Sequence, residues 1–153
     1  MNTVTENQVE IINDQIRINN DRVEGYEKAA AQIGETESSL RNEFLKMAQQ
    51  SQGYAASLRQ HVHGDDEVSA DETTVAGKIY RTWMDVKAVF TGKDTKAILS
   101  SCEYGEDAAQ KAYKTALENP EDLSSGISSL IQRQQAELKL SHDKIKALRD
   151  SQP

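Results

Sequence analysis

Two pairs of acidic residues are the first candidates for chemistry in this sequence. Asp21 and Glu24 form one pair, and Glu103 and Glu106 form the other. Residues three apart project from the same side of a helix, so both carboxylates of a pair can reach one ion. Helical bundles that bind two iron ions use a Glu from each of two helices and a Glu-x-x-His sequence from each of the other two. The acids therefore raise the question of an iron or manganese site.

The histidines do not complete a site of that kind. None of the three histidines, at positions 61, 63 and 142, follows a glutamate by three positions, so the chain contains no Glu-x-x-His sequence. We therefore predict that no cofactor is bound, and we keep an atypical iron or manganese site as the alternative. Its candidate ligands are Glu24, Glu103, Glu106 and His142.

A buried polar cluster is the other interpretation of the same residues. Glu106 lies in an apolar stripe, where an ionised carboxylate needs a partner, and we expect hydrogen bonds from Tyr26, His142 or Gln134. Three tyrosines each adjoin a glycine, which indicates close helix packing or, as a weaker alternative, a small-ligand pocket. The predicted cluster comprises Asn19, Tyr26, Tyr54, Tyr104 and Gln134, and the pocket would be lined by its three tyrosines.

These residues need helices to position them, and the apolar pattern predicts four. Apolar residues recur at alternating steps of three and four, which places them on one side of a helix. The first stripe runs from Val9 to Ile33, and the last runs from Ile127 to Leu148. We predict an all-α fold with long helices over residues 6–33, 37–62, 95–118 and 121–149.

The connections between these helices indicate their arrangement. Short turns join the first two helices and the last two, whereas residues 63–94 separate the second from the third. We predict a mobile loop at 63–74 and an amphipathic crossover helix at 75–91, anchored by Trp83. One long crossover is typical of ferritin-like bundles. We therefore predict a ferritin-like four-helix bundle that forms a single domain over residues 1–153.

The composition limits the binding partners and the cellular compartment that we expect for this protein. The formal net charge of −7 repels phosphate backbones and anionic membranes, so we expect neither nucleic acid nor a membrane as a partner. No apolar stretch approaches the roughly 18 residues that span a bilayer, and the polar N-terminus lacks a secretory signal. The only cysteine, Cys102, excludes an intrachain disulfide. We predict a cytoplasmic protein in which Cys102 is buried and inert.

Several segments together resemble a known family. They are Asn-Asn-Asp-Arg-Val-Glu-Gly-Tyr-Glu-Lys-Ala at 19–29, Trp-Met-Asp-Val-Lys at 83–87, Thr-Gly-Lys-Asp at 91–94, Cys-Glu-Tyr-Gly-Glu-Asp at 102–107, Arg-Gln at 133–134 and Ser-His-Asp-Lys-Ile-Lys-Ala-Leu-Arg-Asp at 141–150. They resemble an uncharacterised bacterial family of ferritin-like four-helix-bundle proteins, a domain-of-unknown-function family. The resemblance covers the chain from about residue 8 to residue 150. It implies the fold and no established activity.

The sequence favours a protein without catalytic activity. It contains no phosphate-binding loop, no nucleotide-binding fingerprint and no zinc knuckle. We predict a binding or scaffold protein, associated with a bacterial stress response, and expect a homodimer because dimers are the commonest oligomers. The alternative is a metal-binding oxidoreductase or an iron-handling protein that uses the atypical carboxylate and histidine site.

Overall fold

Helices account for all the regular secondary structure of the part of the chain that the computed structural model describes. That part comprises residues 4–33, 37–62, 95–118 and 120–152, with side chains from residue 7 onward. Its α-helices are α1 (Val4–Ile33), α2 (Ser38–Arg59), α3 (Thr95–Ala116) and α4 (Ser125–Asp150), and a 3-10 turn covers Pro120–Asp122. The all-α fold with four long helices is therefore confirmed for these residues. The predicted crossover helix at 75–91 and its Trp83 anchor lie outside the described residues.

The start of α4 differs from its predicted position at residue 121. Pro120–Asp122 forms a separate 3-10 turn, and Ser124 then caps α4 with extended backbone angles of −66° and 159°. The Ser124 hydroxyl oxygen accepts a hydrogen bond from the backbone N–H of Ile127 at 3.4 Å. An extended residue whose side chain binds the first free N–H groups is the usual start of a helix, which explains the later boundary.

The first turns of α1 hold this start of α4 in place. The side-chain oxygen of Gln8 accepts a hydrogen bond from the backbone N–H of Ser124 at 2.6 Å. The side chain of Asn7 donates to Asp122 at 3.0 Å. The two contacts join residues more than a hundred positions apart, so they fix the depth at which α1 and α4 begin.

Contacts between the helices define the direction in which each one runs. Asn19 and Arg22 of α1 contact Tyr113 and Glu106 of α3, so α1 and α3 are antiparallel. The α2 residues Glu43 and Tyr54 contact Lys144 and Glu137 of α4 in the same antiparallel sense. Arg22 also donates a hydrogen bond to the backbone of Met47 on α2. Apolar residues at the end of α1, such as Ile33, pack with residues at the start of α2, such as Leu40, so α1 and α2 are antiparallel as well. Consequently α2 and α3 run in the same direction, opposite to α1 and α4.

The apolar core consists of two clusters separated by a polar layer. One cluster surrounds the start of α1 and includes Ile12, Ile16, Leu58, Ala109, Ile131 and Leu138. The other surrounds the end of α1 and includes Ile33, Phe44, Met47, Leu99, Cys102 and Ile145. Cys102 is fully buried, as the sequence predicted. No helix within the described ranges is both long enough and apolar enough to cross a bilayer.

One glycine does not fit the prediction of close helix packing. Gly53 of α2 is exposed, and within the described structure a Cβ atom built on it would meet no heavy atom within 4 Å. A glycine inside a helix costs about 1 kcal/mol relative to alanine because it loses more backbone freedom on folding. The described helices give no packing reason for glycine at this position.

Replacement of Gly53 by alanine should therefore stabilise the protein. We expect Gly53→Ala to raise the free energy of unfolding by about 1 kcal/mol in urea denaturation. The matched control is Gln52→Ala, also exposed on α2, which should change the free energy by less than about 0.5 kcal/mol. A destabilised Gly53→Ala variant would contradict the absence of a packing partner at this position.

Candidate functional site

A buried ion pair lies in the polar layer between the two apolar clusters. Arg22 of α1 and Glu106 of α3 each have about 1% of their surface exposed. The Nε of Arg22 donates to Oε1 of Glu106 at 2.8 Å, and Nη2 donates to Oε2 at 2.9 Å. Two parallel N–H bonds to the two carboxylate oxygens form the bidentate geometry in which guanidinium and carboxylate groups bind most strongly. We call Arg22 and Glu106 the central ion pair.

The remaining edge of the guanidinium binds α2. The Nη1 atom of Arg22 donates to the hydroxyl oxygen of Ser51 at 2.7 Å and to the backbone carbonyl oxygen of Met47 at 3.1 Å. Four of its five N–H groups are thereby used. Since Met47 and Ser51 are four residues apart, they lie one above the other on α2 and face the same group. Three helices therefore meet at one side chain.

Tyr26 completes the surroundings of the ion pair. Its hydroxyl group donates to Oε2 of Glu106 at 2.7 Å, and its ring centroid lies 5.0 Å from the Cζ atom of Arg22. That distance allows a cation–π attraction between the guanidinium and the ring. On α1, Tyr26 follows Arg22 by four positions, so both side chains project to the same side of the helix. The ring of Phe44 lies 5.9 Å from the Tyr26 ring and joins this layer to the apolar cluster.

Electrostatics keep Arg22 charged and Tyr26 neutral. Burial alone would lower the pKa of Arg22, but the charge and hydrogen bonds of Glu106 outweigh it and raise the pKa above its ordinary value. The pKa of Tyr26 is raised well above its ordinary value, first by burial and then by the nearby charge of Glu106, against the opposing effect of Arg22. The phenol therefore remains protonated and acts as a hydrogen-bond donor.

A chain of neutral hydrogen bonds lies beside the ion pair. Asn19 donates through Nδ2 to the hydroxyl oxygen of Tyr113 at 2.8 Å, and Tyr113 donates to Oε1 of Gln134 at 2.7 Å. Gln134 in turn donates through Nε2 to the backbone carbonyl oxygen of Tyr54 at 3.3 Å. We call Asn19, Tyr113 and Gln134 the amide–tyrosine chain. It connects α1 through α3 and α4 to α2, so all four helices contribute to the polar layer.

Both tyrosines of this region stay protonated. Burial raises the pKa of Tyr113 above its ordinary value, although the bond from Asn19 and the charge of Arg22 oppose the shift. Burial also raises the pKa of Tyr54, and the hydrogen bond to Glu137 at 2.7 Å adds to the effect. Both hydroxyl groups therefore keep the proton that they donate.

The four candidate metal ligands do not converge on one point. Glu24 is exposed, Glu103 forms an ion pair with Arg149, and His142 contacts Asp107. Only Glu106 points into the core, where both its oxygens bind Arg22. Within the described ranges, no three residues of the types His, Cys, Asp and Glu are close enough together to hold a metal ion.

Four of the five residues predicted for the polar cluster lie together in the core. Asn19, Tyr54 and Gln134 take part in or adjoin the amide–tyrosine chain, and Tyr26 binds Glu106. Tyr104 is instead 51% exposed and lies outside the cluster. It lies two residues before Glu106 on α3, and this step turns a side chain to nearly the opposite side of a helix. Of the donors predicted for Glu106, Tyr26 binds it, whereas Gln134 and His142 bind other residues.

Arg22, the cation that binds Glu106, is a residue of the site that the sequence prediction omitted. Its neighbour Val23 fills the apolar stripe of α1, and an arginine beside such a stripe is usually solvated. The available signal was Glu106 itself, because a carboxylate inside an apolar stripe requires a cation or several donors. A search for cations on the other helices at the depth of Glu106 would have found Arg22.

Breaking the central ion pair should destabilise the protein more than removing both of its charges. We expect Arg22→Met to lower the free energy of unfolding by about 3–5 kcal/mol, because Glu106 then keeps a buried charge without a cation. The double variant Arg22→Met/Glu106→Leu leaves no buried charge and should lose less than that single variant. Urea denaturation measures both effects.

The ion pair of Glu103 and Arg149 supplies the control. Like the central ion pair it joins two helices, here α3 and α4, but it is partly exposed. Arg149→Met should cost less than about 1 kcal/mol. The outcome against this prediction is additivity. If the double variant loses as much free energy of unfolding as Arg22→Met and Glu106→Leu lose together, the two charges do not act as a unit.

A second ionic contact between α3 and α4 depends on His142. Its Nε2 lies 2.6 Å from a carboxylate oxygen of Asp107, and its Nδ1 lies 3.1 Å from one of Asp143, which also accepts from Lys139. Burial alone would lower the pKa of His142, but the hydrogen bond of Asp143 and the charge of Asp107 outweigh it and raise the pKa above 6.5. Both ring nitrogens can donate only in the protonated form.

The stability that His142 provides should therefore decrease at alkaline pH. Its pKa is higher in the folded than in the unfolded chain, so its contribution is complete below a pH of about 6.5 and is lost as the pH rises through the folded pKa. We expect the difference in free energy of unfolding between the natural chain and His142→Gln to be larger at about pH 6 than at about pH 9. The control is His61→Gln, at an exposed position just after α2. An equal difference at both values would mean that protonation of His142 does not stabilise the fold.

Comparison with known proteins places the chain in a family. The model of the family described as "Domain of unknown function (DUF2383)" matches residues 7–119, more than half of the 153 residues. The matched range contains Arg22, Tyr26, Ser51 and Glu106 and ends before α4 begins. No curated protein matches the chain. The match confirms the resemblance to a domain-of-unknown-function family, and the chain belongs to the DUF2383 family.

Proposed function

We propose that this protein is a bacterial, cytoplasmic, ferritin-like bundle that serves as a non-catalytic binding or scaffold protein. The observation that carries the proposal is the central ion pair, in which the guanidinium of Arg22 binds both carboxylate oxygens of Glu106 inside the core. On this proposal the arginine supplies the positive charge that a metal ion supplies in iron-binding bundles.

The direction of the helices supports the ferritin-like part of the proposal. Because α2 and α3 are parallel, the end of α2 and the start of α3 lie at opposite ends of the bundle, and residues 60–94 separate the two helices in the sequence. By contrast, only residues 34–37 separate α1 from α2, and residues 117–124 separate α3 from α4. Two short connections and one long one are those of ferritin-like bundles. The bacterial and cytoplasmic parts are supported by the sequence resemblance and by the single cysteine.

The chemistry of the polar layer supports a role without catalysis. A carboxylate that coordinates a metal ion needs lone pairs free to face the ion, whereas the oxygens of Glu106 accept hydrogen bonds from Arg22 and Tyr26. The guanidinium keeps its proton at any physiological pH, so its positive charge opposes a second cation nearby. Of the other acids proposed as ligands, Glu24 is exposed and Glu103 already binds Arg149.

Anaerobic loading of the untagged full-length protein with ferrous iron or manganese tests the proposal. We expect less than one ion per chain to remain after desalting, by elemental analysis, and an unchanged melting temperature, because Arg22 already neutralises Glu106. Sedimentation of the same samples at several concentrations reports whether the chain forms the homodimer that we propose as its oligomer.

Variants of the candidate ligands distinguish a scaffold protein from a protein with the atypical metal site. One tightly bound ion per chain that is lost in Glu106→Ala would overturn the proposal in favour of the atypical metal site. Glu106→Ala leaves the buried Arg22 without its carboxylate and risks unfolding. The exposed Glu24 therefore provides the second variant, since Glu24→Ala should remain folded, and loss of the ion from it would likewise establish the metal site. Glu27→Ala, at another exposed acid of α1 outside the proposed ligand set, is the matched control.

A further inference from the structure

The amide–tyrosine chain leaves one acceptor without a donor. Asn19 is fully buried, and its Nδ2 group donates to the backbone carbonyl oxygen of Gln15 at 2.9 Å and to the hydroxyl oxygen of Tyr113 at 2.8 Å. These two bonds use both N–H groups of the amide. Its Oδ1 atom is buried and, among the residues that the structure describes, accepts no hydrogen bond.

The neighbouring contacts fix the orientation of this amide. Reversing the amide of Asn19 would set its oxygen against the carbonyl oxygen of Gln15, so two acceptors would face each other. Tyr113 cannot donate to the Asn19 oxygen, because its single hydroxyl hydrogen goes to Gln134 at 2.7 Å. The orientation of Gln134 is fixed in turn by its bond to the carbonyl oxygen of Tyr54. In every arrangement that keeps these hydrogen bonds, the acceptor without a donor among the described residues is therefore the Oδ1 atom of Asn19.

A second acceptor of the same kind lies one turn earlier on α1. Gln15 is 3% exposed, and its Oε1 atom is buried and has no donor among the described residues. Residues four apart on a helix lie on the same side, one above the other. Two amide oxygens without donors therefore lie on adjacent turns of α1, beside an apolar cluster that contains Ile12, Ile16 and Ile18.

We infer that Gln15 and Asn19 form a binding site for one buried water molecule that donates a hydrogen bond to each amide oxygen. A water molecule has two hydrogens to donate, which matches the two acceptors, and buried waters commonly bind polar groups that have no protein partner. The amide–tyrosine chain thereby continues from α2, α4 and α3 to a water molecule held by α1.

The charges nearby favour water over a cation. No carboxylate takes part in the amide–tyrosine chain. The buried Asp21 lies two positions beyond Asn19, a step that turns its side chain to nearly the opposite side of α1, whereas Arg22 lies one turn beyond Asn19. The carboxylate of Glu106 already balances that arginine through two hydrogen bonds. A neutral donor can bind two neutral amide oxygens without adding an unbalanced charge to the core.

A crystal structure of the full chain at atomic resolution, together with water-to-protein cross-relaxation in solution, tests the site. We expect one density peak about 2.7–3.2 Å from both amide oxygens, and a water cross-peak to the side-chain amide protons of Asn19. In Gln15→Met, which keeps the length of the side chain and removes its acceptor, the density peak and the cross-peak should be lost.

The control is Ser101→Ala, because Ser101 is another buried residue whose oxygen has no donor among the described residues, on α3 instead of α1. This variant should keep both signals. The inference would be overturned if the map showed no peak while both oxygens accepted hydrogen bonds from protein groups. A peak that bound an alkali cation, recognised by its anomalous signal after rubidium soaking, would overturn it as well.

Discussion

A carboxylate inside an apolar core must keep a cation beside it, and this constraint organises the bundle. Glu106 is about 1% exposed, and an unpaired charge at such a depth costs several kcal/mol. The cation comes from α1 as Arg22, and the same guanidinium binds Ser51 and the carbonyl oxygen of Met47 on α2. One electrostatic requirement thereby sets the relative positions of three helices, while the apolar clusters on either side supply the bulk of the buried surface.

The polar layer also fixes the register of the helices, which apolar packing alone specifies weakly. If α3 slid along α1 by one turn, Arg22 would face Cys102 or Gln110 in place of Glu106, and Asn19 would lose Tyr113. Leu, Ile and Ala side chains could repack after such a shift at moderate cost, but the guanidinium and the carboxylate would then be buried apart. The amide–tyrosine chain extends the same restriction to α4 through Gln134. Charged and neutral contacts at one depth therefore select a single alignment of all four helices.

The sequence predicted the helices and part of the site because both depend on spacing. Steps of three and four located the four long helices, and a carboxylate in the apolar stripe of α3 indicated that Glu106 needed buried partners, of which Tyr26 was named. Arg22 could not be found in the same way, because it lies beside the stripe of α1 and its burial depends on the helices that pack against it. The prediction that Tyr104 belongs to the buried cluster was wrong for a related reason. It was based on the neighbouring glycine, which does not indicate on which side of α3 the tyrosine lies. Spacing places a residue on a helix, whereas the pairing of helices decides which residues meet.

An arginine at the centre of a bundle has different consequences from a metal ion at the same place. Its charge is covalently attached and permanent, so the fold depends neither on metal supply nor on the redox state of an ion. Its planar N–H groups match a carboxylate and two further oxygens, and they leave no coordination position for a substrate. If the protein has the proposed function, the polar layer determines the shape of the bundle, and the outer faces of the helices bind the partner. The central ion pair joins α1 and α3 and binds α2, whereas the contacts of Gln134 and His142 come from α4. The charges of the central ion pair are thus balanced between α1 and α3, and α4 contributes the neutral contact of Gln134 and the pH-dependent contact of His142.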